Sequence, residues 1–172
     1  MPAFWLINLA LFQLGWFAAL LLNQHAVAIL ASTVLLHFCL SPTKKADLLI
    51  LLLAPIGWVL DYSLFQLDYL GTDTGIFPIW LLLLWVSFIL SLNHSLKWLS
   101  QQHRLIASLS GMIFGPLSYL SATKVGVLTS SLTPLVFILV FGALWALLLP
   151  TLLALRHRLF KYLSPPQRRE NT

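Results

Sequence analysis

Between Pro78 and Leu99 the chain reads PIWLLLLWVSFILSLNHSLKWL, an apolar run long enough to cross a bilayer as a helix. Trp80 stands near its start and Lys97-Trp98 near its end, where interfacial anchors belong. Just before that anchor come Asn93, His94 and Ser95, which a passive span does not need. Similar apolar runs, separated by short polar turns, make up most of the remaining chain. Charged residues are 9% of the 172 and the hydrophobic set is 59%, whereas a soluble domain carries roughly a quarter of its residues charged. A soluble fold of this size has no interior large enough for so much Leu, Ile and Val. Lipid is therefore the solvent for most of the chain.

The expected fold is all-α: a polytopic transmembrane helical bundle of six spans, with both termini in the cytoplasm. The spans fall at about 4–22, 26–40, 48–67, 76–96, 105–120 and 127–153. Residues 1–155 form the membrane domain and 156–172 a basic cytoplasmic tail. The first 22 residues lack a basic segment before their apolar run, so they read as a retained span. Pro42 with Lys44 and Lys45 breaks the chain after the second run, and Pro55 predicts a kink in the third. Six crossings from a cytoplasmic start put Lys44, Lys45, Lys97, Arg104, Arg156, Arg158, Lys161, Arg168 and Arg169 on one side. Only Lys124 falls on the other, the asymmetry expected of a cytoplasmic face. The tryptophans suit interfacial belts.

Polar residues inside such spans are the candidates for function. Asp61, one helical turn after Gly57, is the acid set deepest in a predicted span. It needs a partner, or must keep its proton. Lys124 and Tyr119 are its candidate partners near the outer side. Asn93 and His94 form, with Asp61, Tyr119 and Lys124, the set of ligand or ion candidates. The helical rise separates Asp61 from His94 by more than about 10 Å, so they are not expected to pair. Asn8, Gln13 and His37 read as structural polar contacts between helices. Gly57, Gly111, Gly115 and Pro116 read as packing positions, the Gly111/Gly115 pair as a GxxxG pattern. Arg156, Arg158 and Lys161 are suited to lipid headgroups.

The five histidines show no metal-ligand spacing, the single cysteine has no disulfide partner, and no phosphate, dinucleotide or nucleophile motif is present. No metal, cofactor or nucleic acid is expected, and catalytic residues cannot be assigned. The net charge of +5 follows from topology. The expected partners are membrane lipids, an integral-membrane or cytoplasmic protein, or a second copy in a homodimer.

Several stretches, read together, resemble a family of short bacterial inner-membrane proteins of unknown function. They are Asn8-x-x-x-Phe12-Gln13-x-Gly15-Trp16-Phe17, Gly57-x-x-x-Asp61, Pro78-x-Trp80-Leu81-x-x-x-Trp85-x-x-Phe88 with Leu92-Asn93-His94-Ser95, and Gly111-x-x-x-Gly115-Pro116-Leu117-x-Tyr119 with Lys124-x-Gly126. The resemblance spans about residues 4–150. It implies a cytoplasmic-membrane location and a link to lipid metabolism, without an activity. Three classes of function stay open: an accessory or scaffold subunit in lipid or envelope metabolism, which the absence of catalytic motifs favours; a lipid or solute transporter or lipid-binding module; and an intramembrane lipid-modifying enzyme.

Overall fold

A computed structural model describes residues 4–163. Its regular elements are all helical. They are α1 (Phe4–Leu21), α2 (Ala26–Leu40), α3 (Lys44–Ile50), α4 (Ala54–Gln66), α5 (Ile79–Ser91), α6 (Arg104–Val125) and α7 (Pro134–Leu163). Five apolar helical segments are long enough to cross a membrane: Phe4–Leu21, Asn23–Leu40, Lys44–Gln66, Arg104–Val125 and Pro134–Tyr162. This is a membrane-embedded, multi-helix protein, and its large apolar side chains point outward as well as inward. Leu35, Leu52, Val59, Phe114, Leu139 and Leu147 are all exposed, as suits a bundle solvated by hydrocarbon.

The helix boundaries follow local chemistry. Pro55 has no N–H to give the carbonyl of Leu51, and its ring crowds that carbonyl. The chain answers with one tighter 3-10 turn, Leu51–Leu53, which joins α3 to α4. The third span thus starts four residues before the expected 48, and Asp47 lies inside it. α6 runs unbroken through Pro116 and ends at Gly126, whose φ of 83° terminates the helix with a left-handed residue. α7 starts later than expected, at Pro134, and continues through Pro150 into the segment assigned to the tail. Arg156, Arg158 and Lys161 are therefore helical; Arg168 and Arg169 lie outside the described residues.

The largest departure is at Pro78–Leu99. A span of about 76–96 was expected, but α5 covers only Ile79–Ser91. That rises about 20 Å, against a hydrocarbon core of about 30 Å. The chain goes on through turns and a 3-10 helix, Lys97–Gln101. Leu92, Asn93, Ser95 and Leu99 of this irregular segment are buried, the condition under which non-helical backbone is tolerated at membrane depth.

α5 is the central helix. α1 and α2 form an antiparallel pair against it, and α4 packs on it as well. The Trp58 indole ties α4 to α5 by donating to the Leu82 carbonyl at 3.0 Å. α6 and α7 form a separate, closely packed hairpin. Gly111 and Gly115 make that approach possible: a Cβ on either would overlap Trp145 of α7. The two groups are tied at one end by an antiparallel bridge, in which Gly71 and Thr129 exchange N–H···O bonds of 2.9 Å each. Ser130 and Ser131 add hydroxyl bonds of 2.6 Å to the carbonyls of Tyr69 and Asp68.

Candidate functional site

Two polar centres and one cavity organise the interior. The first centre is built on Asp47, which is completely buried. The Ser41-Pro42-Thr43 turn after α2 leads straight into α3, and the carboxylate folds back on that turn. The Ser41 hydroxyl donates to Oδ2, and the Thr43 hydroxyl reaches Oδ1 at 3.5 Å. Three further donors come from other elements. His37 Nε2, at the end of α2, lies 3.2 Å from Oδ2. Asn93 Nδ2 and His94 Nε2, from the segment after α5, each lie 2.7 Å from Oδ1. Around them, Asn8 of α1 accepts from the backbone N–H and hydroxyl of Ser95, at 3.1 and 2.6 Å. Arg156 of α7 donates to Asn93 Oδ1 at 3.0 Å. The Phe4 ring meets His94 and His37 edge-on. One carboxylate thus gathers α1, α2, α3, α5 and α7 at one end of the bundle.

His37, Asp47 and His94 each offer a ligand atom within 4.8 Å of the others, a donor set that zinc or non-haem iron also uses. Asn8 decides how the set is used here. Its oxygen is fixed by the backbone N–H of Ser95, so its amide N–H₂ faces His37 Nδ1 at 3.3 Å. His37 Nδ1 is then the acceptor, and its ring proton sits on Nε2, directed at Asp47. A metal ligand at Nε2 would need the opposite tautomer, with Nδ1–H donating outward. In this tautomer both imidazoles are joined to the Asp47 carboxylate by hydrogen bonds.

The second centre is Asp61, also completely buried. Its oxygens accept from Trp85 Nε1 and from the Tyr119 hydroxyl, each at 2.6 Å. Gly57, one turn earlier on α4, explains the geometry. A Cβ there would overlap the Trp85 indole, so the glycine admits the ring and the acid one turn on receives its N–H. Trp85 stacks on Trp145 with centroids 5.5 Å apart and planes 8° from parallel. Among the described residues the ion-pair contacts are His37–Asp47 and His94–Asp47; none involves Asp61. Lys124 is exposed near the end of α6 and does not partner Asp61, as the sequence had suggested.

Between α1 and α5 on one side and α6 and α7 on the other lies a cavity of about 550 Å³. Of the chain's seven tryptophans, Trp16, Trp80, Trp85, Trp98 and Trp145 line it, together with Tyr119. Trp80, Trp85 and Trp145 belong to the interior, not to the interfacial belts that composition had suggested. Gln13 is exposed on α1 and also lines the cavity, away from the Asp47 network. Arg158 and Lys161 are exposed on α7, whereas Arg156 is half-buried against Asn93 and lies over the Phe160 ring at 5.1 Å.

Asn8, His37, Asn93 and His94 are thus brought together, and Asp61 meets Tyr119, with the two sets kept apart. Asp47 is the residue that sequence inspection passed over. Beside Lys44 and Lys45 it reads as a water-boundary acid. Its available signal is that an acid begins an apolar run on the same side as His37 and His94.

This helical plan has a counterpart in sequence. Residues 5–151 match the family described as protein of unknown function DUF2878. The chain belongs to that family. It covers the α1-to-α7 bundle almost completely, including every member of both polar centres except Phe4 and Arg156 of the outer contacts. No curated protein and no solved structure matches the chain.

Proposed function

We propose that the protein is a small binding module or transporter of the bacterial cytoplasmic membrane, which takes an apolar guest, a lipid chain or a small amphiphile, between α5 and the α6–α7 hairpin. The observation that carries this proposal is the 550 Å³ cavity, within the range of about 300–1,000 Å³ typical of small-molecule sites. Its walls are apolar and aromatic, as such sites require, and they belong to two helix groups.

Six crossings with both termini in the cytoplasm fit this proposal. The Gly71–Thr129 bridge holds the α4–α5 and α6–α7 loops on the same side. Two such loops share a side when the intervening chain crosses an even number of times; with α6 as one crossing, this supports counting α5 with its irregular extension as another. The Asp47 network collects the opposite ends of the same helices. Lys44, Lys45, Lys97, Arg104 and Arg156 fall with that network, and Lys124 falls with the bridge, a basic bias that supports a cytoplasmic Asp47 end. A cysteine at Thr74, in a Cys39→Ser background, should react with a membrane-impermeant maleimide in intact cells, whereas one at Lys45 should react only after lysis. Labelling of both from outside would remove this topology.

The binding role is tested by native mass spectrometry of the protein gently extracted from its own membrane. Wild type should carry a defined small molecule or lipid, and Ser118→Trp, which fills the cavity, should lose it. An empty wild-type cavity with a reproducible second polypeptide would replace binding with a scaffold role.

A further inference from the structure

We infer that the guest of the cavity is a hydrophobic organic cation, recognised by the tryptophan and tyrosine walls with the Asp61 carboxylate behind them. This rests on the cavity's being a binding site and adds the charge of what it binds. Three observations converge. Asp61 is fully buried, and among the described residues no lysine, arginine or histidine pairs with it. A buried carboxylate in the membrane interior without a cation is expensive, and such groups mark ion or substrate sites. The two groups that hold it, Trp85 and Tyr119, both line the cavity. Asp61 therefore sits one side chain behind the wall, near enough for its charge to act across a weakly screened interior.

The wall itself is suited to cations. The faces of indole and phenol rings carry negative potential and attract a cation within about 6 Å, most strongly where water is excluded. Donation from Trp85 Nε1 and the Tyr119 hydroxyl to a carboxylate shifts electron density into both rings, which deepens that potential. From α7, Trp145 stacks on Trp85 and Phe141 packs against Tyr119, and residues 134–155 of that helix carry no charge. The cavity thus combines an aromatic surface, a single uncompensated acid and no basic residue in its lining. An anionic amphiphile would find no donor charge there. A neutral chain would make no use of the acid.

The test uses the full-length protein in detergent or nanodiscs. The neutral fluorophore N-phenyl-1-naphthylamine reports whether the cavity binds at all. Tetraphenylphosphonium and tetraphenylborate, of matched shape and opposite charge, then compete for it. The phosphonium should displace the fluorophore at least about tenfold more effectively than the borate, and Asp61→Asn should weaken the phosphonium by about tenfold or more, the order expected for one charge several ångströms away at protein-like screening. Equal competition by the borate, or phosphonium binding unchanged in Asp61→Asn, would overturn the cation assignment and leave the cavity role standing. Saturable binding of none of the three probes would overturn both. Because the phosphonium–borate comparison is made on wild type, it decides the matter even where Asp61→Asn fails to fold.

Discussion

Asp47 and Asp61 are equally buried, yet their surroundings are opposites. Asp47 is enclosed by donors from a turn and from two other elements, including two imidazoles. Asp61 has two donors, both of which are also cavity walls. A carboxylate whose every neighbour is fixed by the chain holds structure together. One with few partners, set behind the wall of a cavity, has interaction capacity left for something else. Burial alone does not separate the two; the partner inventory does.

The comparison can be broken most directly at Asp47. Asp47→Leu leaves His37, His94, Asn93 and Ser41 without their common acceptor and should cost about 3–5 kcal/mol, the usual effect of removing one member of a buried charged network. It should appear as a large fall in the thermal midpoint in detergent, with loss of helix packing. A midpoint near wild type would show that the network is dispensable. Gly57→Leu comes next: its side chain enters the Trp85 indole, and overpacking of this kind costs about 1–3 kcal/mol or more. It should also loosen Trp85 from Asp61, visible as a shift in tryptophan emission.

A smaller effect is expected at Asp61 itself. Asp61→Asn keeps the shape and one acceptor, so its stability loss should stay within about 1–3 kcal/mol, below that of Asp47→Leu. The reverse order would mean that Asp61 is the structural acid. The smallest effects sharpen the comparison by staying near zero. Lys124→Ala should leave the midpoint unchanged, because Lys124 is exposed and pairs with neither acid. Zinc or a chelator should leave it unchanged too, since the His37 Nε2 proton already points at Asp47. A saturable rise with zinc would require His37 to adopt its other tautomer and would make the cluster a metal site.

Apolar runs, prolines and basic residues made the helices legible from sequence, because lipid forces every backbone group into a helix or under cover. Glycine spacing made close packing legible, and Gly57-x-x-x-Asp61 carries much of the second centre. The length of α5 was not legible. Residues 92–96, LNHSL, stand inside a run long enough to be a span, and burial among other helices is what lets the chain turn there. Asp47 was obscured by its neighbours, because two lysines place the local chain at the water boundary while the acid itself turns inward. Trp85 and Trp145 could not be told from interfacial tryptophans by composition. Their roles depend on Gly57 and Gly115, each on a different helix from the ring it admits, and on Gly111, which faces the Trp145 carbonyl.

The bond between Tyr119 and Asp61 spans 58 residues of chain. At about 5–20 residues per second of synthesis, Tyr119 emerges roughly 3–12 s after Asp61. During that interval α4 is already committed to the membrane with its acid facing an unfinished bundle, and Trp85, 24 residues on, is the first partner to arrive. The order of arrival makes the first helices a waiting platform and the α6–α7 hairpin the closing piece. A ribosome stalled before residue 119 would therefore expose an intramembrane acid, the kind of half-built surface that membrane quality control acts on.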